Sequence, residues 1–273
     1  MSELSALDAE IRDLLRFAAR GSMLPRYRAL RDDEIEMKGV DDPVTVVDRE
    51  VEAFLTEALT KLAPGVAVVG EEAAAADPEV LKALSSQCWI IDPLDGTSNF
   101  ASGDGHFGII VALADAGEAV AGWIYDPVRD RLCHAKRGEG AMIDGIAITA
   151  KPSGDSPPNL AAMKRFMGKE QRALFEAEIE PHYQIVQAPG AAAEQYPLTV
   201  FGGHDLAIYE RTLAWDHAAG CLFLNEAGGA CLRPDGSPYR VDDGRKGMIG
   251  AASRELFDEL AERLLRVGYM PND

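Results

Sequence analysis

The sequence predicts a protein of the α+β class, organised as two closely packed halves. Helical patterns lie near both ends of the chain, two short apolar runs indicate buried strands, and a long middle stretch is strand-like with turn residues between the strands. At roughly 100 to 200 residues per domain, 273 residues correspond to one large domain or two packed ones. Residues 151–158, rich in Pro, Ser and Gly, are the best boundary and give halves of residues 1–150 and 151–273.

Two amphipathic helices are predicted before residue 63. Leu7, Ile11 and Leu15 recur at helical spacing, and a cleaner series of apolar residues runs from 51 to 62. The charged segment between these helices, residues 32–42, is followed by a proline and is typical of an exposed, mobile loop.

Two apolar runs are followed directly by acidic residues. Residues 66–70 and 88–91 are short, contain β-branched side chains and have turn or polar residues at their ends, so both are predicted to be buried strands. Glu71 follows the first run, and Asp92 and Asp95 follow the second. Two strands therefore deliver acids from their carboxyl ends.

The rest of the chain divides into hairpins, one further strand and two helices. Residues 106–149 are predicted to form antiparallel hairpins with Gly and Asp-Pro turns. Residues 183–186 are predicted as a strand, and residues 215–227 and 253–267 as helices. The letters of the dinucleotide motif G-x-G-x-x-G occur at residues 103–108, but a strand is predicted after them rather than before, which argues against a nucleotide site there.

The composition is strongly acidic. The chain has 27 Lys and Arg against 45 Asp and Glu, a net charge of −18, so its surface should repel nucleic-acid phosphates and anionic lipid. No apolar stretch approaches the roughly 18 residues of a membrane span, and the acidic N-terminus does not have the pattern of an export signal. We therefore expect a cytoplasmic protein with no nucleic-acid or membrane partner. The four cysteines lie far apart, which indicates buried thiols.

The most informative segment is residues 92–97, with the sequence DPLDGT. Its two carboxylates lie three positions apart around a proline that restricts the backbone, so they can converge on one point. Oxygen ligands clustered in this way suit Mg²⁺, Mn²⁺ or Ca²⁺. The glycine and threonine would open a helix whose N–H groups bind an anion. On this segment alone, a ligand-free Asp-rich turn that caps a helix remains the alternative.

Three further acids are ordinary when each is taken singly. Asp216 can be an N-terminal helix acid, Glu71 a solvated loop acid and Asp48 an acid in the first turn of a helix. Together with residues 92–97 they form a pattern that resembles the inositol monophosphatase family of metal-dependent sugar and polyol phosphatases. The blocks that carry this resemblance are residues 42–48, 70–72, 91–100, 215–220 and 226–229.

The resemblance implies a layered αβαβα sandwich of the sugar-phosphatase type. The N-terminal α+β half would carry most metal ligands, and the C-terminal α/β half would supply Asp216 and substrate contacts. Two or three Mg²⁺ ions, or Mn²⁺ in their place, would be bound, and a homodimer is implied. The implied metal ligands are Glu71, Asp92, the carbonyl of Leu94, Asp95 and Asp216.

The resemblance also implies a reaction. Inositol 1-phosphate or a similar polyol or sugar phosphate would be hydrolysed by in-line attack of a water held by the metal, with no phosphoenzyme. Glu71 and Thr97 would orient this water, and Asp48 would hold the Thr97 hydroxyl. The implied substrate contacts are Lys38, Asp95, Gly96, Thr97, Gly190, Ala191, Ala192, Glu210 and Asp216.

The identity of the leaving alcohol stays open. Glu210 lies six residues before Asp216, one fewer than in the animal enzymes of the family, and Ala191 stands where the family has a hydroxyl side chain. Arg211 can serve a second phosphate or merely the surface. Histidinol phosphate, fructose 1,6-bisphosphate and the 3′(2′)-phosphoadenosine phosphates are alternative substrates. A partner-binding regulatory protein and a cation-binding structural module are the non-enzyme alternatives.

Overall fold

Two large β-sheets alternate with helical layers in the part of the chain that the computed structural model describes, residues 5–39 and 42–269. Only the backbone of Lys38 and Asp42 belongs to the described part of the structure. The predicted contact of the Lys38 side chain with substrate therefore lies outside the described residues. The two large sheets have seven and five strands, and a separate two-stranded hairpin lies near the N-terminus.

The N-terminal region has helices on both sides of this hairpin. The elements are α1 (Ala6–Ala18), a π-helical turn (Ala19–Met23), α2 (Leu24–Arg26), a 3₁₀ turn (Asp32–Glu34), β1 (Ile35–Gly39), β2 (Asp42–Thr45) and α3 (Val46–Leu62). The prediction of a loop over residues 32–42 is wrong in part, because Ile35 pairs with Thr45 and Glu36 with Val44 in an antiparallel ladder. Val44 is buried, so one face of this two-stranded sheet packs against the rest of the protein. In the sequence Val44 lies among charged residues, and the strand is therefore not recognised from the local pattern.

The seven-stranded sheet lies within residues 67–148. Its strands, in spatial order, are β3 (Ala67–Gly70), β4 (Cys88–Asp95), β5 (Gly108–Asp115), β6 (Glu118–Asp126), β7 (Arg131–Lys136), β8 (Gly140–Ile143) and β9 (Ile146–Ile148). Strands β3 and β4 are parallel, and every later pair is antiparallel, which confirms the predicted hairpins. Helix α4 (Glu71–Ala76) and a 3₁₀ segment (Pro78–Ser85) join β3 to β4, and α5 (Thr97–Ser102) follows β4.

Strand β4 is longer than the predicted strand over residues 88–91. It pairs with β5 as far as Asp95, although the register shifts between Asp92 and Asp95. This irregularity acts like a β-bulge, which bends a strand and redirects its side chains. Asp92 and Asp95 therefore belong to the paired end of a strand and not to an unpaired turn after it.

The five-stranded sheet lies within residues 159–251. Its strands are β10 (Asn159–Ala162), β11 (Gln184–Val186), β12 (Leu206–Tyr209), β13 (Ala230–Leu232) and β14 (Met248–Ala251), in the spatial order β11-β10-β12-β14-β13. Strands β11, β10 and β12 are parallel to one another, and β14 is antiparallel to β12 and β13. The helical segments are a 3₁₀ turn (Lys164–Phe166), α6 (Lys169–Leu174), a π-helical turn (Phe175–Ile179), a 3₁₀ turn (Glu180–His182), α7 (Ala192–Phe201), α8 (Ala214–Glu226) and α9 (Arg254–Arg266).

Three hydrophobic clusters hold the layers together. Because side chains alternate along a strand, Trp89 and Ile91 of β4 face α1 and α3, whereas Cys88 and Ile90 face α7 and α8. The opposite side of α7 and α8 packs on the five-stranded sheet, whose outer face is covered by α9. At roughly 1.5–3 kcal/mol for each fully buried large apolar side chain, these clusters supply the main stabilising term. The predicted αβαβα sandwich is confirmed.

Two close contacts fix the helical layer between the sheets. An ideal Cβ atom on Gly122 of β6 would lie 2.7 Å from the Cα atom of Ala219 on α8. A Cβ atom on Gly220 would lie 2.0 Å from the ring of Tyr196 on α7. Glycine is therefore required at both positions for α8 to lie against its neighbours.

Some predictions concern the chain as a whole. The four cysteines are buried free thiols, as expected. Among the described residues, no helix has the length and apolar character needed to cross a bilayer. The division of the chain near residue 150 stays a prediction.

Candidate active site

A cavity of about 510 Å³ lies where parallel strands from both large sheets end. Glu71 follows β3, Asp92 and Asp95 end β4, and Glu210 follows β12. Crevices at the carboxyl ends of parallel strands are the usual ligand sites of open α/β sheets. The predicted site residues that line this cavity are Glu71, Asp92, Leu94, Asp95, Gly96, Thr97, Gly190, Ala191, Ala192, Glu210 and Asp216.

Backbone N–H groups fix the two aspartates of β4. The N–H of Leu94 donates to Asp92 Oδ1 at 3.0 Å. The N–H of Ala193 donates to Asp95 Oδ2 at 2.6 Å, and the N–H of Ala192 also bonds this carboxylate. Asp95 thus caps the N-terminus of α7, which has no capping side chain of its own. Ala192 is predicted to contact substrate, but its N–H donates a hydrogen bond to Asp95.

The aspartates of the cavity resist ionisation. Burial is the main cause, and the charges of Glu71 and of the other aspartates add to it. The pKa of Asp92 is raised well above its usual value, that of Asp95 to about 6 and that of Asp216 to about 8. Asp216 also shares a hydrogen bond with Asp92. Protons therefore reduce the mutual repulsion of these carboxylates, as cations would.

The carboxylates form an open set of donors rather than a closed metal cage. Within residues 5–39 and 42–269, no three acidic, histidine or cysteine groups already stand in a metal-holding arrangement. The groups that face the cavity are carboxylate and carbonyl oxygens, which suit Mg²⁺ and Mn²⁺. Mg²⁺ usually keeps several waters and takes only one or two carboxylates. The chemistry of the donor set therefore fits a hard divalent cation.

Asp48 holds Thr97 from the start of α3. The Oδ2 atom of Asp48 accepts the N–H and the hydroxyl of Thr45 at 2.8 and 2.6 Å, which completes a capping box. Its Oδ1 atom lies 3.2 Å from Thr97 Oγ1, which also lies 2.9 Å from the Leu94 carbonyl oxygen. Burial raises the pKa of Asp48 to about 7. The contact implied between Asp48 and Thr97 is present, and its role in a reaction stays a prediction.

Glu71 is the first residue of α4 and is positioned from α3. The carboxylate oxygens of Glu52 accept the N–H groups of Glu72 and Ala73, each at 2.8 Å. Since these N–H groups have no partner within the helix, the buried Glu52 acts as the cap of α4. The position of Glu71 over the cavity therefore depends on Glu52.

Gly96 links the strand to the short helix α5. Its φ angle is +83°, a left-handed conformation that favours glycine. An ideal Cβ atom at this position would lie 2.6 Å from the carbonyl oxygen of His106. Asn99 of α5 donates to that carbonyl at 2.6 Å and to the carbonyl of Pro189 at 2.9 Å. The α5 segment thus fixes the loop that carries Gly190.

The C-terminal wall of the cavity holds Glu210 tightly. Its carboxylate accepts hydrogen bonds from Gln171 Nε2 at 2.6 Å and from the hydroxyl of Tyr269. Burial raises the pKa of Glu210, and these two donors oppose the rise. The predicted contact of Glu210 with a substrate hydroxyl would share this carboxylate with both partners.

Both ring nitrogens of His217 have hydrogen-bond partners within the described part of the chain. Its Nε2 atom lies 2.9 Å from the carbonyl oxygen of Arg211 and its Nδ1 atom 2.9 Å from the hydroxyl of Tyr196. Nε2 therefore carries the proton, and burial lowers the pKa of the ring to about 3. A neutral histidine with both nitrogens engaged holds the loop before α8.

The residues that sequence reasoning missed act on the predicted ones. Glu52 lies outside the recognised blocks, Ala193 is apolar, and Asn99 lies in the block of residues 91–100 but has no predicted role. A signal existed for Glu52, because it lies next to Val51 on the buried side of an amphipathic helix. A charged side chain at such a position needs a buried partner.

Comparison with known proteins agrees with this geometry. Residues 10–268 match the inositol monophosphatase family. The chain is 34% identical over 257 residues to the inositol-1-monophosphatase of Caulobacter vibrioides, covering 91% of this chain and 97% of that protein. It is 33% identical over 244 residues to the Nus factor SuhB of Haemophilus influenzae, covering 86% and 87%.

Solved structures show the same fold. The crystal structure of the extragenic suppressor protein suhB from Bartonella henselae superposes with a TM-score of 0.79 at 28% identity, covering 95% of this chain and 98% of that one. The sequence match, the shared fold and the convergence of the acidic blocks on one cavity agree. The chain belongs to the inositol monophosphatase family.

Proposed function

We propose that this protein is a Mg²⁺-dependent phosphomonoesterase that hydrolyses inositol 1-phosphate or a similar polyol or sugar phosphate. One observation carries the proposal: Glu71, Asp92, Asp95 and Asp216, which come from both halves of the chain, line one cavity together with Thr97. Buried carboxylates that raise one another's pKa are costly for stability, and they are typical of sites that bind cations. Membership of a metal-dependent family of phosphomonoesterases supports the same conclusion.

The resemblance to the family implies how the ligands would divide between two metal ions. Glu71, Asp92 and the carbonyl of Leu94 would hold one ion. Asp92, Asp95 and Asp216 would hold a second. When bound, the ions would offset the charge of the phosphate and lower the pKa of a coordinated water.

The protein's own groups would orient the attacking water and the phosphate. The Thr97 hydroxyl has one proton, which goes to Asp48 or to the Leu94 carbonyl, so its oxygen keeps a lone pair for a water in the cavity. Glu71 would accept a proton from that water. The N–H of Thr97 would hold a phosphoryl oxygen, an electrostatic contribution to the transition state. The N–H of Gly96, also predicted to contact substrate, bonds the Asp95 carboxylate instead.

Phosphate release from a set of esters tests this proposal. Inositol 1-phosphate, histidinol phosphate, fructose 1,6-bisphosphate and 3′-phosphoadenosine 5′-phosphate are each assayed with Mg²⁺ and with a chelator. We expect Mg²⁺-dependent release that is fastest with inositol 1-phosphate or another polyol phosphate. If the folded protein releases no phosphate from any ester in the presence of Mg²⁺, the enzyme proposal is wrong.

Asp92→Asn is the decisive variant because Asp92 is shared by both ion sites. Loss of a residue that only hydrogen-bonds a metal ligand costs about 10- to 100-fold, so loss of this ligand should lower kcat/KM at least about 100-fold. Asp258→Asn, on the exposed face of α9, is the matched control. Circular dichroism of both variants shows whether the fold is kept.

A regulatory role is the second candidate, because a relative of similar identity is named as a Nus factor. Such a role would use a protein surface rather than the carboxylates. Asp92→Asn would then abolish phosphate release and leave capture of the partner unchanged. Loss of both together would instead place any partner contact at the cavity. The expected homodimer and cytoplasmic location stay predictions, and light scattering tests the former.

A further inference from the structure

Two arginines on the wall of the cavity form no direct ion pair with a described carboxylate, although the charge of Arg211 opposes the rise in the pKa of Asp216. Arg165 and Arg211 both line the cavity and are exposed. Within residues 5–39 and 42–269 neither guanidinium forms an ion pair, whereas the neighbouring Lys164 is held by Glu176 and Glu180. In a chain where acids outnumber bases by 45 to 27, an arginine readily finds a carboxylate. These two cations are therefore available to an anion from outside the chain.

Both arginines stack on the same aromatic ring. The guanidinium carbon of Arg165 lies 4.8 Å from the ring centroid of Phe166, and that of Arg211 lies 5.0 Å from it. The ring attracts each cation, and the two distances place the guanidinium carbons no more than about 10 Å apart. An anion bound by both would remove their repulsion.

The topology brings these residues to one edge of the sheet. Strands β10 and β12 are adjacent and parallel, with Ala162 opposite Ile208, so the chain leaves both strands on the same side. Arg165 follows β10 and Arg211 follows β12. The carbonyl of Arg211 is fixed by His217. Two separate segments of the five-stranded sheet thus present cations to the space that the acidic residues border.

We propose that Arg165, Phe166 and Arg211 form a subsite for a second phosphoryl group, so that an ester carrying a second phosphate is preferred over the matching monophosphate. The inference rests on the proposed phosphatase function and specifies its substrate class. One phosphate would lie over Asp92, Asp95 and Asp216, and the other against the arginines. Guanidinium groups bind phosphate through paired, charge-assisted hydrogen bonds. A cavity of about 510 Å³ has the size of a small-molecule site.

Matched pairs of esters test the subsite. Fructose 1,6-bisphosphate is compared with fructose 1-phosphate, and 3′-phosphoadenosine 5′-phosphate with adenosine 3′-phosphate. Each pair shares the ester to be cleaved and differs in the second phosphate. We expect kcat/KM to favour the bisphosphate in at least one pair by about 10-fold or more, as hydrogen bonds to charged groups predict.

The double variant Arg165→Gln/Arg211→Gln should reduce this preference. We expect kcat/KM for the preferred bisphosphate to fall about 10- to 100-fold, mainly through KM, with a smaller loss for the monophosphate. Arg20→Gln removes an exposed arginine outside the cavity and is the matched control. The subsite is excluded if neither bisphosphate is preferred, or if the double variant lowers both members of a pair equally.

Failure of the phosphatase proposal would be seen separately, as no Mg²⁺-dependent release from any monophosphate or bisphosphate. In that case the two bisphosphates are titrated calorimetrically into the Mg²⁺-loaded protein. Weaker binding by the double variant than by the Arg20→Gln control would support the subsite. Equal binding, or no binding to either, would overturn it.

Discussion

The carboxylate of Glu52 occupies the space beside Gly70 in which any larger residue would place its side chain. An ideal Cβ atom on Gly70 would lie 2.3 Å from Cδ of Glu52, closer than real atoms approach. The same carboxylate caps α4, which begins with Glu71. Gly70 thus leaves space for the Glu52 carboxylate, which holds the start of the helix that carries the predicted metal ligand Glu71.

Glu52→Gln should weaken metal binding without touching the metal. The amide supplies one acceptor where the carboxylate supplies two, so one N–H group of α4 loses its partner. We expect the free energy of unfolding to fall by about 1–3 kcal/mol and the Mg²⁺ concentration for half-maximal activity to rise. Glu57→Gln, exposed on the same helix, should change neither quantity. A loss of stability with unchanged Mg²⁺ dependence would mean that Glu52 does not position Glu71.

Thr97→Val should lower kcat while the protein stays folded. Valine has nearly the shape of threonine but cannot bond Asp48, the Leu94 carbonyl or a water. If the hydroxyl orients the attacking water, kcat should fall about 100-fold, the scale of losing one oriented polar group in a reaction centre. Thr97→Ser keeps the hydroxyl and should retain most activity. Equal rates for the valine and serine variants would exclude this role.

The metal-free protein should lose stability as the pH rises. The pKa values of Asp95 and Asp216 are about 6 and about 8 in the folded chain, above the ordinary value of 3.8. A carboxyl group with a raised pKa holds its proton better in the folded state. Its stabilising contribution is therefore complete below 3.8 and is lost as the pH rises through these values.

Saturating Mg²⁺ should oppose this loss, so the increase in Tm on adding Mg²⁺ should grow between pH values of about 5 and 8. Asp216→Asn should flatten the dependence, and Asp258→Asn should leave it unchanged. Thermal unfolding with Mg²⁺ and with a chelator measures the difference directly. An increase in Tm that is the same at every pH would contradict the assignment.

Asp8→Asn should destabilise the protein at neutral pH and much less in acid. Burial opposes ionisation of Asp8, but hydrogen bonds from Ser5, Lys136 and Trp123 outweigh it and lower its pKa. The stabilising contribution of such a group is present above the ordinary value of 3.8 and is lost as the pH falls through the lowered pKa. We expect a loss of about 1–3 kcal/mol near neutral pH.

Chemical denaturation at several pH values measures this effect. Asp13→Asn, an exposed acid of the same helix, is the matched control and should be neutral at every pH. A destabilisation by Asp8→Asn that persists unchanged at low pH would show that the charge of Asp8 is not the cause.

Local sequence patterns predicted the elements that border the site. Glu71 and Asp92 follow short apolar runs, and the structure places both runs as neighbouring parallel strands. The pattern at the start of α8 likewise located Asp216. The layered arrangement came from the resemblance to a known family, because the periodicity of a helix or strand does not say which elements face each other.

What the sequence did not reveal depends on contacts between distant residues. The N–H of Ala193 reaches Asp95 across 98 positions in the chain, and no local rule pairs an alanine with an aspartate. The pairing of β1 with β2 was missed because the charged residues of these strands outweighed the few apolar ones. The stacking of Arg165 and Arg211 on Phe166 required the order of strands in the second sheet.

The close approach of Ala219 to Gly122 bears on how substrate preference can change during evolution. Helix α8 carries Asp216 and has no room for one additional carbon atom against β6, so it cannot shift to admit a bulkier substrate. Two other parts of the cavity wall, residues 163–166 and 188–191, are short connecting segments. Such a chain can acquire a new substrate by exchanging side chains in these segments while its reaction centre keeps its geometry.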